Sequence, residues 1–158
     1  MHEVPPVRRA QVDDAGEVAR LLHDFNVEFA TPSPGVGVLA ERLRTLLAGD
    51  RTLAVLAGGP AVGVALVTFR PNVWYPGPVA LLDELYVVPE RRGEGIGSSM
   101  LGLVVAEARA VGAGLVEIDV DEGDVDAQRF YRRHGFTEVD PDTGERALYF
   151  SQELPADT

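Results

Sequence analysis

The sequence has no cysteine and no lysine. The first absence excludes disulfides, thiolate metal sites and a thiol nucleophile together, and it suits a reducing compartment, so a cytoplasmic location is expected. The second means that every basic side chain is arginine, and it removes the Gly-Lys-Ser/Thr ending of a nucleotide P-loop. Positive charge is scarce as well: 14 basic residues stand against 25 acidic ones, a net charge of −11. Such a surface is a poor match for a nucleic-acid backbone and a better one for cationic partners such as amines. The start, "MHEVPPVRRAQ", has no apolar core, so no signal peptide is expected. One long uncharged run exists, Thr52 to Phe69, but Gly58-Gly59-Pro60 interrupts it between Val-, Leu- and Thr-rich arms. It reads as two buried strands joined by a hairpin rather than a membrane span, and no membrane partner is expected.

What is present is 46% apolar residue in 158 positions, enough for the core of one domain. That domain is expected over 1–154, with a disordered tail over 155–158. A short strand at Val7 to Ala10 leads into a helix carrying Ala15, Val18, Leu22, Phe25 and Phe29 at helical spacing. A second helix carries Leu39, Leu43, Leu46 and Leu47 and ends near Gly49. The hairpin follows, then the loop Arg70 to Pro78 and a long strand from Val79 to Val88. Met100, Leu101, Val104, Val105 and Ala108 mark a third helix. A strand Leu115 to Val120, a short helix ending at Gly135, and strands near Phe136 to Val139 and Arg146 to Phe150 complete the chain. The predicted order is β-α-α-β-β-β-α-β-α-β-β, a mixed α/β domain. Its long strand, third helix and following strand form a right-handed unit with parallel strands.

Between that long strand and the third helix lies "VVPERRGEGIGSSM", with glycine at 93, 95 and 97. Glycines ahead of a helix let several N–H groups converge where the helix dipole is positive, and phosphate is the natural ligand of such a place. A plain turn feeding a helix is the bland alternative. A dinucleotide-binding oxidoreductase is another: counted from Gly93, the third glycine position is Ser98, and Glu117 lies where an acidic ribose ligand would. Against it, "PERR" separates the strand from the glycines.

The run Arg92-Gly93-Glu94-Gly95-Ile96-Gly97 also fits R-x-x-G-x-G, and "AQRFYRRHGF" over Ala127 to Phe136 fits Ala-x-x-x-Tyr-x-x-x-Gly-Phe. The pair, in register and separated by a helix and a strand, resembles the GNAT superfamily of N-acetyltransferases. The resemblance implies that the long strand splays from the strand Leu115 to Val120. The pantetheine arm of acetyl-CoA would lie in that splay against Leu85, Tyr86 and Val87. The amides of Arg92, Gly93, Glu94, Gly95, Ile96, Gly97 and Ser98 would hold its diphosphate. It also implies a general acid at Tyr131, a coenzyme contact at Asp124 where the family often has Asn, and an acceptor rim including Asp24, Glu28, Trp74 and Tyr75. A homodimer is a further expectation at the level of the family. A similar "GD" arrangement occurs in some aminoglycoside 3-N-acetyltransferases.

Acetyl transfer to an amine requires removal of the amine proton, a polarised thioester and stabilisation of the departing thiolate. With no cysteine, direct attack by the bound amine is expected. Glu84, between Leu82 and Leu85, is the first candidate base, since desolvation raises a carboxylate pKa. Asp119 on the facing strand is the second. Strand alternation puts Glu84 and Asp83 on opposite faces unless a bulge intervenes. Each could instead be a solvated strand carboxylate, Asp124 a helix cap, and Tyr131 a packed aromatic. His2, His23 and His134 are scattered, and the acidic run Asp119 to Asp126 lacks the register of a calcium loop, so no metal is expected. The reading is acetyl transfer from acetyl-CoA to a small-molecule or peptide amine. An acetyl-CoA-binding regulatory module without turnover remains the non-enzymatic alternative.

Overall fold

The computed structural model describes residues 3–156; His2 and the last two residues of the expected tail, Asp157 and Thr158, lie outside them. The first strand, β1 (Val7–Arg9), is followed by a 3-10 turn and by α1 (Ala15–Glu28) and α2 (Val36–Ala48). Next come β2 (Thr52–Ala57), β3 (Gly63–Arg70) and β4 (Val79–Val87). After a second 3-10 turn, Pro89–Arg91, the chain forms α3 (Ile96–Ala110), β5 (Leu115–Glu117) and α4 (Val125–Arg133). Among the described residues, five strands lie in the order β1-β2-β3-β4-β5. Neighbours from β1 to β4 are antiparallel, and β4 with β5 is parallel, joined by the expected crossover helix.

The uncharged run from Thr52 to Phe69 forms β2 and β3, hydrogen-bonded along their length. Its apolar density reflects a sheet covered on both faces. One face carries Ala54, Leu56, Val64 and Tyr86, which pack with Val18, Ala19 and Leu21 of α1 and Ala40 and Leu43 of α2. The opposite face meets α3, whose Met100 and Ile96 lie against Gly63. Among the described residues, no helix is long and apolar enough to cross a membrane.

Contacts group the chain into two compact units, one up to Ile118 and one from Asp119. In the second unit the expected final strands do not form; a single antiparallel bridge joins Val139 to Arg146. The turn between them does form as its sequence implies. The Asp140 carboxylate accepts from the amides of Asp142 at 2.7 Å and Thr143 at 3.1 Å, and Gly144 follows with φ 73°. A two-stranded ribbon without an apolar face to bury is marginal, and Leu148, Tyr149 and Phe150 are all exposed. The strand expected over Leu115 to Val120 stops at Glu117.

In the first unit, the loop after β3 is held closely to the end of α3. Gly77 faces the Gly112 carbonyl so tightly that a side chain there would run into backbone. Replacing Gly77 with alanine is therefore expected to destabilise the protein by about 1–3 kcal/mol, readable as a lower urea midpoint. An unchanged midpoint would show that the loop can move off α3 at no cost.

Candidate acyl-carrier and amine site

The β4–β5 ladder consists of Val79 with Leu115, Ala80 with Val116 and Leu81 with Glu117. Beyond Leu81, β4 continues to Val87 without β5 beside it. On its other side it stays paired with β3 to the end. Val88 donates its amide to the Val62 carbonyl at 2.9 Å, so the adjacent pair Gly63–Val87 is the non-hydrogen-bonded kind. Alternation then turns the N–H and C=O of Val87 and Leu85 toward the open edge, while those of Tyr86 face β3. Leu85 and Val87, two of the three residues expected to meet a pantetheine arm, thus turn main-chain groups to that edge. Pairing ends because β5 itself stops at Glu117, within the stretch from which the splay is expected.

A bulge interrupts the β3 ladder between Leu66, opposite Glu84, and Val67, opposite Leu82, leaving Asp83 as the extra residue. Thr68, two positions from Leu66 on the same face, donates its hydroxyl to Asp83 at 2.5 Å. The bulge thus overrides simple alternation and turns Asp83 and Glu84 toward the same face. Glu84 is half-buried. Burial pushes its carboxyl above the ordinary glutamate value, and the neighbouring Asp83 charge adds to the rise.

After β4, the chain enters the glycine turn through Pro89–Arg91. Gly93 and Gly95 have φ of 78° and 87°, a region that side-chain-bearing residues rarely adopt. Gly97 is different: it already belongs to α3. The first helical bond is donated by Ser99 to the Gly95 carbonyl at 3.0 Å. The preceding first-turn amides therefore sit at the positive end of a 15-residue helix. Ile96, 1% exposed, anchors that end in the core. On one flank Arg91 pairs with Glu94 at 3.1 Å. On the other, Arg92 donates Nε to the Val87 carbonyl at 2.9 Å and Nη2 to Glu28 Oε1 at 2.7 Å.

The expected rim residues have distinct settings. Asp24 lies on α1, half-exposed, with Arg20 at 3.8 Å. Glu28 is engaged: its Oε1 also accepts from the Tyr86 hydroxyl at 3.2 Å. The Arg92 guanidinium holds the Glu28 carboxyl below the ordinary glutamate value. Burial, followed by the bond to Glu28, pushes the Tyr86 phenol up to about 12. Trp74 is 85% exposed. Asn72 shapes its loop by accepting from the amides of Trp74 and Tyr75, both at 2.8 Å. The Tyr75 ring lies against Gly114, where a side chain would collide with it.

The second unit holds the other expected residues. Asp119 lies past the end of β5, so the second candidate base is not on the facing strand. Asp124 caps α4 by accepting from the Ala127 amide at 3.0 Å. Tyr131, 8% exposed, packs edge-on against Phe130 and Phe136 with centroids 5.1 and 5.6 Å away. His134 bonds through Nδ1 to the Phe130 carbonyl at 2.8 Å, closing the helix end.

A mainly antiparallel sheet, a long strand that outruns its parallel partner and a glycine-led helix are the α/β arrangement of the acetyltransferase class. A profile of the acetyltransferase (GNAT) family matches residues 18–136, and the chain belongs to that family. It is 35% identical to aminoglycoside N(6')-acetyltransferase type 1 of Stenotrophomonas maltophilia, over 95% of this chain and 94% of that protein. A crystal structure from Arthrobacter sp. FB24, provisionally named an acetyltransferase, superposes with a TM-score of 0.90 at 51% identity, covering 98% of this chain and 99% of that one. Aminoglycoside N-acetyltransferase AAC(6')-Iy in complex with CoA shares the fold, with a TM-score of 0.72 at 17% identity over 94% of this chain and 100% of that one. The dinucleotide alternative fails, because it requires a parallel doubly wound sheet and β1 to β4 are antiparallel. Glu117, its ribose ligand, instead pairs with Arg70 at 3.4 Å.

The Glu84 environment yields a stability prediction. A carboxyl whose folded pKa is raised contributes fully below its unfolded pKa, and that stability is lost as pH rises through the folded value. Glu84→Gln is therefore expected to melt higher than the parent at about pH 7.5 and to match it below about pH 4. Thermal melts at the two pH values check this, and a variant that melts lower at neutral pH would refute it.

Proposed function

We propose that the protein transfers the acetyl group of acetyl-CoA to a primary amine of a cationic small molecule or peptide, by direct attack within a ternary complex. The observation that carries this reading is the pair of left-handed glycines, Gly93 and Gly95, leading into α3 beside the unpaired edge of β4. The amides of the glycine turn and of the first turn of α3, from Gly93 to Ser98, suit a diphosphate, while that of Arg92 is donated to the Pro89 carbonyl at 3.3 Å. The edge groups of Leu85 and Val87 suit the amides of a pantetheine arm. GNAT acetyltransferases use acetyl-CoA, which is the donor in this reading.

Glu84 takes the amine proton, directly or through a water, and its raised pKa fits it to that work. The freed nitrogen attacks the thioester carbonyl, the carbon–sulfur bond breaks, the Tyr131 hydroxyl protonates the departing thiolate, and the second proton shed by the acylated nitrogen returns through solvent to the Tyr131 oxygen. Tyr131 is assigned through the Ala127 to Phe136 motif, and Asp119 is the reserve base. Asp24, Trp74 and Tyr75 form the acceptor rim, where carboxylate and aromatic groups suit a cation. The net charge of −11 and the aminoglycoside enzyme among the relatives support a cationic acceptor. Asp124 serves the coenzyme indirectly, by fixing the start of the helix that carries Tyr131. A cytoplasmic homodimer is the proposed setting, and light scattering reads the assembly.

Thiol release measured with a panel of aminoglycosides, polyamines and peptide N-termini tests the reading. Turnover with at least one cationic amine is expected. Tight acetyl-CoA binding with no turnover across the panel would favour a regulatory module. With the preferred amine, Glu84→Gln and Tyr131→Phe should each lower kcat by roughly 10²-fold or more. The parent's kcat/KM should rise with pH through a midpoint above that of an ordinary carboxylate, and Glu84→Gln should lose that limb. A variant with unchanged rate and profile rejects the role assigned to its residue.

A further inference from the structure

Glu28 occupies an unfavourable place for an acid. It sits in the last turn of α1, where carbonyl groups point outward, and that turn has no basic residue. The helix end is firmly built. Phe29 closes it, Ala30 turns with φ 52°, Thr31 donates its amide to the Asn26 carbonyl at 2.8 Å, and the Asn26 side chain holds the Pro32 carbonyl at 3.0 Å. The Glu28 carboxylate is therefore presented from a fixed support. One of its oxygens accepts from both Arg92 and the Tyr86 hydroxyl.

Arg92 in turn ties its loop to two elements, β4 and α1. Its Nε closes on the open-edge carbonyl of Val87, its Nη2 reaches α1 through Glu28, and its guanidinium carbon stands 5.6 Å from the centre of the Tyr86 ring. Phe25 stacks on that ring from α1 at 4.9 Å. Arg92 is followed at once by Gly93 and then Gly95, which restrain the backbone least. The amide loop thus depends on its flanking residues for order. Ile96 anchors the far side, and the near side is held by the Arg91–Glu94 pair and by the Arg92 fork, of which only the fork ties the loop to α1 and β4.

We propose that Glu28 is a positioning residue for the acyl carrier: by fixing the Arg92 fork against α1 and the edge of β4, it orders the amide loop that receives the diphosphate. It acts through Arg92 rather than as a bare anion for the acceptor. This rests on the acetyl-CoA reading above and assigns Glu28 to its donor side.

Hydrogen exchange on the ligand-free chain, together with calorimetry using acetyl-CoA, tests the proposal on the parent, Glu28→Gln, Arg92→Gln and the double variant. Exchange over residues 93–98 should quicken by roughly fivefold or more in Glu28→Gln, with β2 and β3 unchanged. Acetyl-CoA should bind about tenfold more weakly, and the double variant no more weakly than the weaker single one. Unchanged loop exchange, unchanged or tighter acetyl-CoA binding, or additive losses would each overturn the proposal. So would a rise in acceptor KM with the acetyl-CoA affinity intact. If the parent itself gives no heat with acetyl-CoA, the donor reading falls and takes this inference with it. A parent that binds beside an indifferent Glu28→Gln overturns the inference alone.

Discussion

The site depends on where one ladder stops. Parallel pairing of β4 with β5 ends at Leu81 and Glu117, and from there to Val87 the long strand has hydrogen-bonding groups on one side without a strand to meet them. Backbone groups of this kind are satisfied by something, because leaving them unpaired in a closed environment is costly. In the structure one such group, the Val87 carbonyl, is met by Arg92. An extended ligand with amides of its own would complete the edge as a strand would, gaining affinity from main-chain geometry rather than side-chain fit.

The bulge at Asp83 works on the same strand from its other side. One extra residue changes which way two carboxylates face, and it does so where β4 is losing its parallel partner. Glu84 is then half-buried beside a second acid. A residue of the same type on a regular, solvated strand would have neither neighbour nor desolvation to raise its pKa. The chemistry assigned to Glu84 is thus a property of strand irregularity as much as of residue identity.

Much of the first unit is legible in the sequence, because its signals are local. The Gly58-Gly59-Pro60 break in an apolar run locates a hairpin, the Met100–Val104–Ala108 spacing locates α3, and glycines at 93 and 95 mark left-handed positions. Gly97 shares their alternate spacing but lies in the helix, because spacing alone cannot separate a turn glycine from a helical one. The bulge is open to sequence reasoning only as an exception to alternation, since it depends on how two strands register. The Glu28–Arg92–Tyr86 cluster is not legible at all: its members are 64 and 58 residues from Glu28, and no local pattern links them. The strands expected near 136–139 and 146–150 fail for the same kind of reason. Residues such as Leu148, Tyr149 and Phe150 have strand propensity, but propensity becomes a strand only where a partner covers it.

The loop between β3 and β4 holds the chain's natural optical probe. The chain's single tryptophan is Trp74, placed by Asn72 on an exposed turn and not in the core. Its indole is already in water when the sheet is intact, so melting of the sheet changes its surroundings little. Burial beneath an arriving molecule changes them greatly. Tryptophan emission from this chain is thus a poor gauge of folding and answers instead to whatever covers that loop.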